Sequence, residues 1–199
     1  MNVGVINLMA TRWTLHVDNW KNCTRCALHS DRQNIVLASG AIPCDIAFVG
    51  EAPGNSEDSL GEPFVGPAGD ILKNDIIDKS IVMSRFRILY TNLLACIPLD
   101  EEGTKVKEPP LESIKQCKPR LIDLLNFSNP QLIVAVGTVP YKWLNQQTKG
   151  AIKIRAGTPV IQITHPAFIL RQQVVMQPLL IKQQVITLRE ACEHLEPRG

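Results

Sequence analysis

Cys23 and Cys26 form a Cys-x-x-Cys pair inside a polar stretch, WKNCTRCALHS. That spacing lets two thiolates point at one metal or cluster. Cys96 follows an apolar run, ILYTNLLAC, and Cys117 sits in the segment PPLESIKQCKPRLIDLL. Four thiolates from three separate elements can tie an N-terminal loop to the body of a domain. Zinc and an iron–sulfur cluster both accept four cysteines, and spacing alone does not choose between them. Thiols that bind nothing are a third reading. A thioredoxin-like redox pair fits less well, because it opens a helix after a strand rather than sitting in a polar loop. Cys44 and Cys192 have no evident partners and read as ordinary buried or free thiols.

The second set of chemical residues falls at the ends of apolar runs. Gly50-Glu51-Ala52-Pro53-Gly54-Asn55-Ser56-Glu57-Asp58 follows the first, Thr91-Asn92 closes the second, Gly137-Thr138 the third, and Thr164-His165-Pro166-Ala167 the fourth. Each also has an ordinary structural use as a turn, cap or strand end. Their recurrence in order is what suggests one shared crevice.

The elements that must position them are legible from the pattern. Asp45–Gly50, Ile88–Leu94, Leu132–Gly137 and Val160–Thr164 are short apolar runs that predict buried strands. Helical spacing predicts helices over Gly69–Val82, Leu111–Phe127, Thr138–Asn145 and Phe168–Leu195, the last interrupted near Pro178. Pro109-Pro110 supplies a start signal for the second of these. Strands alternating with helices predict an α/β domain with a mostly parallel sheet, whose ligands sit at the strand C-termini.

Composition narrows the class. At 199 residues, 45% hydrophobic and 20% charged, the chain predicts a single domain over 1–199 with a real core. The longest apolar run is far short of a membrane span. MNVGVINLMATRW lacks a basic n-region and a cleavage site, so it reads as part of an intracellular protein. Net charge is only +2, but its placement is uneven. Between Asp123 and Glu190 the chain carries Lys142, Lys149, Lys153, Arg155, Arg171, Lys182 and Arg189 and no acid, a segment able to form a positive face.

GEAPGNSEDSLGEPFVGPAGDIL, TNLLACIPLD and THPAFILR together resemble the iron–sulfur uracil-DNA glycosylases of family 4. The resemblance runs from about Trp20 to Arg171. It implies a three-layer fold with a central four-stranded, mostly parallel sheet between helices. It also implies a 4Fe–4S cluster of structural role on Cys23, Cys26, Cys96 and Cys117, tying down the N-terminal loop. Such an enzyme extrudes its target base from DNA, single- or double-stranded, and reads it in a closed pocket.

By resemblance, Gly50, Ala52, Pro53 and Gly54 wall the base site, and Phe64 stacks on the base. Asn92 reads the pyrimidine edge, its amide donating to O4 and accepting from N3–H. Cytosine presents the reverse pattern and leaves buried polar atoms unpaired. His165 resembles the residue that donates to O2 as negative charge gathers on the departing base. Glu51 is assigned to the pocket and Glu57 to a water-positioning role; family 1 enzymes carry an aspartate where this chain has Ala52. Lys142 and Arg171 are expected on phosphates, and Phe168, with Ile169 and Leu170, in the space the flipped base leaves. The expected assembly is a monomer with no membrane partner.

The chain departs from the family pattern after Cys96. ACIPLD followed by EEGTKVKEPP stands where KCRPP and then NR are usual, leaving Lys105 and Lys107 as phosphate contacts, and 20 residues separate Cys96 from Cys117. Gly54 leaves room beside C5 of a pyrimidine. Two rival readings follow: a glycosylase for a C5-modified pyrimidine such as a phage hypermodified base, and a catalytically inactive iron–sulfur relative that binds DNA. An electron-transfer protein does not account for Asn92 and His165.

Overall fold

A computed structural model describes residues 3–80, 82, 84–147 and 157–198. Helix α1 (Val3–Trp20) leads into the cysteine loop and a short 3-10 turn at Ala27–His29. Strands β1 (Ala38–Gly40), β2 (Ile46–Gly50), β3 (Ile88–Asn92), β4 (Leu132–Val136) and β5 (Val160–Ile163) form one sheet in the order β1-β3-β2-β4-β5. β2, β3, β4 and β5 run parallel, and β1 pairs antiparallel to β3. The sheet therefore has five strands, not the four expected. β1 escapes sequence reading because Ala-Ser-Gly has no apolar alternation. Its register rests on Gly40, at φ +99°, where a Cβ would lie 2.2 Å from the Ile88 carbonyl oxygen.

The central strands are buried on both faces, which is why they read as continuous apolar runs rather than alternating ones. Ile46 and Phe48 of β2 face one layer, with Tyr90, Val134, Leu72, Ile76, Ile169 and Leu188. Ala47 and Val49 face the other, with Leu89, Leu121, Leu124, Ile133 and Leu144. The first layer is built from helices α3 (Pro67–Asp70), α6 (Pro166–Leu170) and α7 (Gln177–Cys192). The second is built from α4 (Leu111–Ser128) and α5 (Thr138–Gln147). A short helix α2 (Asn55–Leu60) follows β2.

Some boundaries differ from expectation. Helix α3 continues as a wide π-helical stretch, Ile71–Ile77, and closes in a 3-10 turn at Asp78–Ser80. The tail breaks at residues 171–176, not at Pro178. Pro178 lies in the first turn of α7, where a missing N–H costs nothing. Cys44 and Cys192 are both buried in the core, and burial pushes their thiols up to about 12 and about 11. Among the described residues no helix is long and apolar enough to cross a membrane.

Candidate active site

Strand order decides where the polar strand ends meet. β2 lies in the middle, with β3 on one side and β4 on the other, so the chain reverses direction across the sheet at β2. Crevices form at the C-terminal edge of such a switch point. Four residues follow one another along that edge: Asn92 on β3, Gly50 on β2, Gly137 after β4 and His165 after β5.

The flanking side chains lean inward. Gly50 pairs with Asn92 in the β2–β3 register. A Cβ on Gly50 would sit 2.2 Å from Asn92 Oδ1 and 2.7 Å from Phe64 Cζ, so the amide and the aromatic ring share the ground that glycine vacates. On the other side, Gly137 at φ +106° would bring a Cβ within 3.3 Å of His165 Cβ. Asn92 thus rests over β2 and His165 over β4. β2 and β4 are neighbours, so their backbone footings lie roughly one strand spacing, ~4.8 Å, apart.

His165 caps α6. Its Nδ1 accepts the Ala167 N–H at 3.1 Å. A ring that accepts at Nδ1 carries its proton on Nε2, which is then a donor. Burial, followed by the charge of Arg171, holds the imidazole below its ordinary pKa, against a smaller opposing pull from Glu57. The neutral ring is therefore the resting form.

Glu57 is engaged by the backbone. Its Oε1 accepts from Val65 N–H at 3.0 Å and Gly66 N–H at 2.9 Å, and its Oε2 accepts from Gly54 N–H at 3.0 Å. It ties the Pro53–Gly54 turn to the loop that carries Phe64. These three bonds fix the carboxylate in place and leave part of its acceptor capacity open. Asp58, next to it, is buried and accepts from the Gln33 and Asn34 N–H groups. Glu51 is half-buried, and its carboxyl is pushed up, first by burial and then by the charge of Glu108.

Phe64 is at φ +56°, a left-handed conformation that costs a bulky residue about 1–3 kcal/mol. Gly69 sits so close beneath it that a Cβ would lie 2.2 Å from the Phe64 carbonyl oxygen. Its ring meets Tyr90 edge-on at 6.0 Å and belongs to the core. Core packing and the approach to Gly50 and Asn92 are thus properties of the same side chain.

Cys23, Cys26, Cys96 and Cys117 line one cavity, together with Trp20, Arg25, Arg32 and Arg120. Arg32 Nη1 donates to Cys96 Sγ at 3.1 Å. Burial raises the Cys96 thiol; Arg32 pulls it back, and nearby Cys117 and Cys26 push it up further. Among the described residues, no three His, Cys, Asp or Glu side chains converge on a single-ion site.

The surface residues divide. Phe168 is 46% exposed and Leu170 40%, whereas Ile169 is fully buried in the core. Ile169 therefore cannot enter a duplex, contrary to its grouping with Phe168 and Leu170. Lys142, Arg171 and Lys182 are exposed, as are Lys105 and Lys107. Lys107 lies just past a turn that the Asp100 carboxylate closes by accepting from the Thr104 and Lys105 N–H groups. Arg189 donates to the Lys79 carbonyl. Lys149, Lys153 and Arg155 lie outside the described residues.

Sequence reading misses Arg32 and Arg120. Arg120 left one trace: a cation beside Leu121 on the apolar stripe of α4, three residues after Cys117.

A sequence model of the uracil DNA glycosylase superfamily matches residues 38–189. A protein of Pyrobaculum aerophilum named type-4 uracil-DNA glycosylase is 34% identical over 166 residues, 76% of this chain and 81% of that one. Its namesake from Thermotoga maritima is 33% identical over 161 residues, 77% and 80% of the two chains. The crystal structure of wild-type SMUG2 from Pedobacter heparinus overlays with a TM-score of 0.57 at 11% identity, covering 75% of this chain and 76% of that one, a likeness of fold. With the sheet edge built as described and these relatives matched across it, the chain belongs to the type-4 branch of the uracil-DNA glycosylase superfamily.

Proposed function

We propose that this protein flips uracil out of DNA and hydrolyses its N-glycosidic bond, leaving an abasic site. The observation that carries the reading is the footing of Asn92 over β2 and His165 over β4, neighbouring strands at one end of the sheet. Asn92 donates to O4 and accepts from N3–H. The C1′–N1 bond breaks with its electron pair leaving on the base, and charge gathers at O2. The neutral His165 ring offers its Nε2–H to that oxygen, pre-aligned by the Ala167 bond at Nδ1. Water supplies hydroxide to C1′ and its proton ends on the base. Phe64 and the Gly50–Gly54 turn enclose the ring. To Glu51, half-buried in the turn that follows β2 and with its carboxyl pushed up by burial, we assign the orienting of that water.

The cysteine cavity suits a 4Fe–4S cluster. Its lining includes four cysteines, the number such a cluster takes, and three arginines able to offset the negative charge of cysteine ligation. When bound, the cluster supplies a tie between the N-terminal loop and the domain body, and no chemistry on the base. On this reading the protein acts inside the cell as a monomer on DNA, with Lys142 and Arg171 on phosphates.

Defined oligonucleotides test the substrate. Release of uracil, with unmodified cytosine and thymine left intact, is the expected result. Release of C5-modified pyrimidines in place of uracil would transfer the reading to the modified-base enzyme, and DNA binding without any release would transfer it to the inactive relative.

Two variants test the architecture. Gly50→Ala forces a methyl group into Asn92 and Phe64. It is expected to lower uracil release by about 10²-fold, as a misplacement of about 1 Å can, and to cost about 1–3 kcal/mol of stability; kinetics and thermal unfolding read the two. Phe168→Ala is expected to slow release from duplex DNA more than from single strands with stability kept. Ile169→Ala is expected to cost about 2–5 kcal/mol through its core cavity, and equal stability losses in the two variants would sink this division of roles.

A further inference from the structure

Arg120 is fully buried, and among the described residues it forms no ion pair with a carboxylate. Its Nη1 donates to the Leu37 carbonyl and to Thr91 Oγ1, both at 3.2 Å. Its Nη2 donates to the Asn92 carbonyl and, at 3.1 Å, to that of Leu93. Nε is buried with no hydrogen-bond partner among the described residues. Neutral carbonyl and hydroxyl dipoles compensate a buried cation poorly. The same residue is among those lining the cysteine cavity. Arg25 is exposed there and Arg32 half-exposed, so water can share their charge; Arg120 has no such relief.

Two segments converge at this point. One, the exit from β3, carries Asn92 and, four residues on, Cys96. The other, α4, carries Cys117 and, three residues on, Arg120. The exit segment is also laced to the β2 turn, Leu93 N–H donating to the Gly50 carbonyl and Leu94 N–H to that of Glu51. Whatever fixes Arg120 fixes the backbone of the base-reading amide.

We propose that Arg120 is a positioning residue for base release: negative charge on the cysteine-bound cluster holds its guanidinium in the interior, where it clamps the Asn92 and Leu93 carbonyls and aims the Asn92 amide at the flipped base. The inference rests on the cluster reading above. It assigns the cluster an electrostatic part in recognition without any electron transfer.

The test uses full-length, cluster-loaded protein carrying Arg120→Gln or Arg120→Lys. Iron content, the cluster's midpoint potential and the kcat and KM for a uracil oligonucleotide are measured. Arg120→Gln removes a nearby cation, so reduction of the cluster becomes harder and the potential moves negative. Arg120→Lys keeps the charge and the potential. Its point charge cannot span four acceptors, so kcat falls about tenfold or more while KM stays near wild type. A structural role alone would leave the potential unmoved. If loaded Arg120→Gln keeps the wild-type potential, or Arg120→Lys keeps the wild-type kcat, the inference is overturned. Should Arg120→Gln not accumulate as folded protein, the Arg120→Lys kinetics decide. Wild-type protein without iron or visible absorption would instead overturn the cluster reading and this inference with it.

Discussion

Asn92→Asp is expected to cut uracil release by about 10⁴–10⁵-fold while leaving DNA binding intact, the range seen when a pocket built around one hydrogen-bonding pattern is mismatched. Asn92 is 3% exposed, so its amide works in a desolvated site where an unmatched polar atom is costly. Aspartate has the same shape and fits over Gly50, so the backbone contacts of β3 and the Arg120 clamp persist. What changes is the pattern. The carboxylate accepts at both oxygens, loses the donor to O4, and places a negative charge against a carbonyl. Single-turnover excision and binding to an uncleaved oligonucleotide separate the two effects. Equal excision by the variant would remove Asn92 from base reading.

His165→Ala is expected to lower the rate by about 10²–10³-fold, the usual consequence of deleting one donor aimed at developing negative charge. The pH dependence carries the sharper test. The imidazole is held below its ordinary value of 6.5 by burial and Arg171. The wild-type rate should therefore stay level as pH falls to 6.5 and decline only below it, when a proton on Nδ1 displaces the Ala167 N–H. Stability follows the same sign. The unfolded chain takes up a proton on this histidine near pH 6.5 and the folded chain does not, so the histidine's contribution is fully present above that pH and shrinks as the pH falls through the folded value. His16, also buried and held low, adds to the same trend. A wild-type rate that already falls between pH 8 and 7 would contradict a neutral resting imidazole.

Much of this could be read before any coordinates. β2, β3, β4 and β5 are apolar runs bounded by turn residues, because strands buried on both faces need uninterrupted hydrophobic side chains. α4 and α5 start where proline and glycine allow them. β1 and α1 left little trace, since a three-residue edge strand has no periodicity to detect. Pro178 misled for a related reason: proline reads as a breaker, yet it sits comfortably in a first turn.

The chemical residue types are a property of the local sequence: an amide closing one strand, an imidazole following another, and four cysteines at ligand-like spacing. Their mutual placement is not. Asn92 and His165 are 73 residues apart in the chain, and they come to neighbouring places on one sheet edge because β2 and β4 pair and glycines 50 and 137 leave space above them. Glu57 reads as a water-positioning group in the motif, and its second part, as a tie to the backbone of the Phe64 loop, exists only once that loop folds onto it. Phe168 and Ile169 are adjacent apolar residues whose fates part because helical geometry turns one to solvent and the other to the core. Arg120 is unremarkable in the sequence; packing strips it of water, and with that its charge acquires consequences for the strand end it grips. Long-range packing sets burial, and burial sets what a polar group can do.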